Sequence, residues 1–81
     1  MTPSDILRIA RAIGHEDVVY FDPLNDSADA FAVQMFLLEN GCHIHPHRIT
    51  RDGYIEPLAK YDGTKAGLRR AIVEAAKGVV A

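Results

Sequence analysis

The stretch GCHIHPHRITRDGYIEPLAKY, residues 41–61, decides how the middle of this chain folds. Its residues alternate rather than recur at helical spacing, and Asp52 followed by Gly53 is the pair that a type I′ hairpin turn requires. The expectation is a hairpin pairing residues 42–51 with 54–61. A two-residue turn fixes the register, setting Arg51 opposite Tyr54, Ile49 opposite Glu56, His47 opposite Leu58 and His45 opposite Lys60. One face then collects Ile44, Pro46, Ile55, Pro57, Ala59 and Tyr61, and is the expected core face. The other collects His43, His45, His47, Arg51, Glu56 and Lys60, with Ile49, Tyr54 and Leu58 among them. Pro46 and Pro57 donate no ladder hydrogen bond, which suits a two-stranded sheet, both of whose strands are edges.

Helical signals flank this hairpin. In TPSDILRIARAIG, residues 2–14, Thr2 is the expected N-cap, Pro3 the first helical residue and Gly14 the stop. Ile6, Leu7, Ile9, Ala10 and Ile13 share one side, so this helix covers a core from one direction. Residues 18–21 are rich in β-formers and end at Asp22 and Pro23, which fits either a short strand or a packed loop. A second helix starts near Ser27 and runs to Gly41. Its apolar residues spread nearly all round the wheel, so it needs cover on more than one side: from the first helix and the sheet, or from another molecule. The last helix is capped by Thr64 and runs to Gly78, with Leu68, Ala71, Ile72 and Ala75 as its buried stripe. The expected fold is α+β, one small domain over residues 1–81 in the order α-α-β-β-α. A two-stranded antiparallel hairpin packs against the helices, with an extra short strand near 18–21 as a variant.

Composition places the chain among ordinary soluble domains, with 48% hydrophobic and 25% charged residues. No run approaches the ~18 apolar residues of a transmembrane helix, and the N-terminus lacks the basic-then-apolar layout of a signal peptide. A cytoplasmic location, with no membrane partner, is expected. Cys42 has no second cysteine to pair with. Charge is unevenly spread: residues 1–45 hold seven acids against two arginines, and residues 46–81 hold seven bases against four acids.

The three histidines invite a metal reading. Neighbours two apart on a strand lie ~7 Å apart and could chelate as a pair, whereas His43 and His47 would be ~13 Å apart, too far to share one ion. A third ligand is missing, Lys60 lies opposite His45, and the expectation is a wet strand face, with no metal and no cofactor. Catalysis is not expected either. Ser4 and Ser27 fall at helix starts, where their hydroxyls would cap, and adjacent Cys42 and His43 point to opposite faces of a strand. A sequence pI near 6.0 and the lack of a recognition motif argue against direct nucleic-acid binding. The acidic region suits a different role: Glu16, Asp17, Asp22, Asp26 and Asp29 could present spaced carboxylates to the phosphate-binding cations of another protein.

Within residues 27–78, the chain reads ADAFAVQMFLLENGCHIHPHRI over 28–49 and GYIEPLAKYDGTKAGLRRAIVEAA over 53–76. An aliphatic helix precedes the hairpin, and a helix with Arg70, Ala71, Ala75 and Ala76 follows it. This layout resembles small bacteriophage-encoded α/β sandwich proteins. The resemblance implies a non-enzymatic accessory protein of a phage or mobile element, acting inside the bacterial host cell. It implies in particular an inhibitor of the anti-CRISPR type, which binds a host protein or ribonucleoprotein defence complex and obstructs DNA engagement. The five acids above would be the partner-binding residues. The alternatives are a homodimeric structural or regulatory phage protein, joined through the second helix or a hairpin edge, and a histidine-based metal-binding protein.

Overall fold

The computed structural model describes residues 2–16 and 18–81. Among them it places α1 (Pro3–Ala12), α2 (Ser27–Glu39), β1 (Cys42–Ile44), β2 (Arg48–Arg51), β3 (Ala59–Lys60) and α3 (Lys65–Val80). The α+β class and the order of helices and strands are those expected. The sheet differs, having three antiparallel strands in the order β1-β2-β3 instead of two. The 18–21 stretch forms no strand; it is a loop packed at its ends, with Val18 against the core and Phe21 buried, and with Val19 and Tyr20 about 80% exposed.

The chain reverses earlier than Asp52 and Gly53. Pro46 and His47 join β1 to β2, with the His45 N–H donating to the Arg48 carbonyl at 2.8 Å. Cys42 then faces Arg51, His43 faces Thr50 and Ile44 faces Ile49. Asp52 and Gly53 do turn the chain, with Gly53 at φ +83° and the Tyr54 N–H on the Arg51 carbonyl. No strand follows directly. The chain regains the sheet where the Leu58 N–H reaches the Ile49 carbonyl, so that Ile49 faces Ala59 and Arg48 faces Lys60. The expected register would have put Ile49 on a face with His47, Arg51 and Glu56. The observed one sets it in a row with Ile44 and Ala59, and it is this apolar row that fixes the pairing.

The expected core face is corrected accordingly. Ile49 and Leu58, expected on the wet side, are buried and packed against the core respectively, whereas Ile55 is 100% exposed and Pro46 is exposed. The core gathers Ile9 and Ala10 of α1, Val33 and Leu37 of α2, Cys42, Ile49, and five residues of α3 from Ala71 to Ala76. The helix α3 touches α1, α2, β2 and β3 and so stands at the centre of the packing. It continues past Gly78 to Val80 because Val79 and Val80 still find apolar neighbours.

Each helix starts on a built cap. At α1, the Asp5 N–H donates to the Thr2 hydroxyl while the Thr2 N–H donates to the Asp5 carboxylate, a reciprocal capping box. Lys77 Nζ, 3.8 Å from that carboxylate, links α1 to the end of α3. At α2 the cap is Asp26, not Ser27, its Oδ1 accepting from the N–H groups of Ala28 and Asp29. At α3 the Thr64 hydroxyl accepts from the Gly67 N–H, and Asp62 accepts from both the hydroxyl and the N–H of Thr64.

Two predictions follow from this packing. Ile49→Ala is expected to cost roughly 2–5 kcal/mol, as for a fully buried isoleucine, while Ile55→Ser stays within about 0.5 kcal/mol of the parent. Urea denaturation of the two variants checks both, and the two-residue hairpin register would reverse their order. The second concerns acid. The Thr2 backbone N–H above all holds Asp5 below its ordinary 3.8, and the Thr64 hydroxyl and N–H do the same for Asp62. A carboxyl with a depressed folded pKa stabilises the fold above its unfolded pKa and loses that contribution as pH falls through the folded value. Asp5→Asn with Asp62→Asn should therefore lower the urea midpoint at about pH 7, and the deficit should shrink as pH is taken below the carboxylate range.

Candidate binding surface

The acidic region lies at the surface, and three of its carboxylates also bond within the fold. Asp26 is the α2 cap. Asp29, one turn in, accepts the Asp22 N–H at 2.9 Å through Oδ2, and its Oδ1 lies 3.4 Å from His15 Nε2. The Asp22 carboxylate in turn accepts from the Asn25 side-chain amide. His15 lies with its ring centroid 4.6 Å from that of Phe21, and its Nδ1 is buried with no partner among the described residues. Arg69 of α3 closes the arrangement, its Nε donating to the Leu24 carbonyl at 2.9 Å. These contacts fasten the connection from α1 to α2 onto the N-terminus of α2. Of the five acids expected to bind a partner, Glu16 is exposed; Asp22, Asp26 and Asp29 each hold a place in this connection. Asp17 lies outside the described residues.

The histidines are divided by the turn at Pro46 and His47. His43 and His45 flank Thr50 on the outer face of the sheet, His43 Nε2 donating to Asp52 Oδ1 at 2.8 Å and His45 Nε2 lying 2.9 Å from Thr50 Oγ1. His47 sits in the reversal, against Gly63 and 6.3 Å from the Tyr61 ring. Among the described residues no group of three or more His, Cys, Asp or Glu side chains is placed to hold a metal ion. Cys42 is 1% exposed, and burial pushes its thiol above the ordinary 9.0, so at neutral pH it stays protonated. The Tyr61 hydroxyl donates to the His45 carbonyl and pins the turn from below.

Apolar exposure marks a different part of the molecule. On α2, Ala30, Val33 and Leu37 face the core, and α3 and β1 cover that side. Phe31, Met35 and Leu38 face outward, Phe31 with 58% of its surface exposed. They recur at i, i+4 and i+7, one ridge along the helix. Between Asp29 and Glu39 the helix carries no charged residue. A groove of about 190 Å³ runs beside this ridge, floored by Ala30 and Ile72, walled by Phe31 and Leu68, and edged by Lys65 and Arg69 of α3. A second groove opens on the α1 side, between Ile13 and Met35.

The sequence already required cover on more than one side of α2; the structure shows that α3 and β1 supply it on one side only. Two loops also expose apolar side chains: Val19 and Tyr20 before α2, and the loop after β2, which sequence reasoning missed because the expected register folded it into the hairpin. Tyr54 is more than half exposed, with the Arg51 guanidinium 5.3 Å from its ring centroid, and Ile55 beside it is bare.

Among the described residues no helix is long and apolar enough to cross a membrane. No protein-family model, no curated protein and no solved structure matches this chain.

Proposed function

We propose that this chain is a non-catalytic protein-binding module whose contact surface is the outer ridge of α2 together with the groove beside α3. One observation carries the reading: Phe31, Met35 and Leu38 stand exposed in line on a helical face that bears no charge. Aromatic residues and methionine are enriched, and charged residues depleted, at the centres of protein interfaces. The exposed half of such a stripe adds nothing to the stability of the isolated fold, yet it supplies what a partner needs to exclude water.

In the form that the phage resemblance implies, the partner is a host protein or ribonucleoprotein defence complex, and binding obstructs DNA engagement. The internal bonds of Asp22, Asp26 and Asp29 favour the α2 ridge over the acidic region as the binding surface in that form too. Reversing those three charges would disturb the start of α2 and would confuse folding with binding. Glu16→Lys avoids this.

Biolayer interferometry against a purified RNA-guided surveillance complex, with a DNA-binding assay alongside, tests the proposal. Phe31→Glu with Met35→Glu is expected to weaken binding by roughly a hundredfold, since two anchors of about 1.5 kcal/mol or more are lost, while circular dichroism stays that of the parent. Glu16→Lys should change affinity less than tenfold, the range of a rim charge. Undiminished binding by the double variant would place the contact elsewhere, and a wild-type protein that ignores the complex would remove the defence-complex form.

A further inference from the structure

The loop at residues 52–57 carries an exposed aliphatic side chain beside a carboxylate, and the groove between α2 and α3 carries a mostly apolar lining beside two cations. The loop presents Ile55 fully exposed, with Tyr54 beside it and Glu56 following. It is held at both ends, by the Tyr54 N–H on the Arg51 carbonyl and the Leu58 N–H on the Ile49 carbonyl. Arg51 braces it further, lying by the Tyr54 ring while its Nε donates to the Asn40 carbonyl. A projection fixed in this way loses little conformational freedom on binding. The groove has an apolar floor and walls, and about 190 Å³ admits the four-carbon side chain of an isoleucine. Its edge carries two cations, Lys65 and Arg69. Asp52 is engaged by His43, which leaves Glu56 as the loop carboxylate suited to meet them.

We propose that the groove receives Ile55 from a second copy of this chain, with Glu56 of the entering loop against Lys65. This identification rests on the reading that the α2 region is a contact surface, and names the chain itself as one occupant. The contact joins two different surfaces of the same molecule, so it can close as a pair that exchanges loops or continue from copy to copy. With one aliphatic anchor and one ion pair at its centre, it belongs among small, transient interfaces.

Sedimentation equilibrium from micromolar to millimolar concentration tests it. The wild type is expected to self-associate, and Ile55→Asp to weaken association by roughly tenfold or more, a buried aliphatic anchor being replaced by a charge. Lys65→Glu and Glu56→Lys, both at exposed positions, should each weaken it several-fold, and the two together should restore it, because the pair is re-formed with its signs exchanged. A wild type that stays monomeric at millimolar concentration overturns the proposal, as does an Ile55→Asp protein that associates like its parent, or a double variant no better than the single ones. Ile55→Asp leaves the α2 ridge whole. If it still binds a surveillance complex recognised by the wild type while neither protein self-associates, this inference fails and the protein-binding reading stands. If Phe31→Glu with Met35→Glu also leaves all binding unchanged, that reading fails as well.

Discussion

The burial of Ile49 is the constraint on which the rest of the sheet depends. It is the middle residue of an apolar row with Ile44 and Ala59, and it meets the cluster built on α3. A strand has only two faces, so placing Ile49 inward forces its neighbours Arg48 and Thr50 outward. It also requires an apolar partner on each side. Pro46 ends β1 early enough for Ile44 to serve on one side, and the chain must run on to Ala59 before it can serve on the other. The projecting loop, with Ile55 at its tip, is the remainder left between those two requirements.

A similar economy governs the α1 to α2 connection. Two of the acids that look, in the linear chain, like a charged surface, Asp26 and Asp29, also accept from backbone donors. The first turn of a helix leaves N–H groups without partners, and Asp26 satisfies two of them. Asp29 is then free to accept from Asp22 and to face His15. A charge count along the sequence cannot separate a carboxylate that caps from one that waits for a partner. Position can: Asp26 immediately precedes the helix, and Asp29 lies in its first turn, where carboxylates are favoured by the helix dipole.

The class, the order of elements and the caps at Thr2 and Thr64 were legible because each rests on local chemistry. Sheet register was not, because two turn signals compete within residues 45–53 and tertiary burial decides between them. The pair Asp52 and Gly53 makes its turn as its chemistry dictates, but a turn is only half of a hairpin, and Pro57 and Glu56 make poor partners for β2. The apolar circumference of α2 was legible as well. Which side would remain open was not, since that depends on where α3 packs, and α3 lies at the far end of the chain.

The α2 ridge and the loop at Ile55 have unequal origins, and the difference bears on function. Ile55 is exposed because the sheet needs the chain to travel from Arg51 to Ala59, and any loop of that length would satisfy the need; nothing in the fold asks for isoleucine at its tip. The α2 ridge is more telling. A helix held by Ala30, Val33 and Leu37 from within could carry longer polar side chains at positions 31, 35 and 38, at the cost of the part of Phe31, Met35 and Leu38 that the fold covers and with some gain in solubility. Phenylalanine, methionine and leucine at those positions, repeated at helical spacing, leave about half of their surface outside the fold. Such residues are the ones enriched at the centres of protein interfaces, which is why the proposed contact is placed on α2 and not on the Ile55 loop.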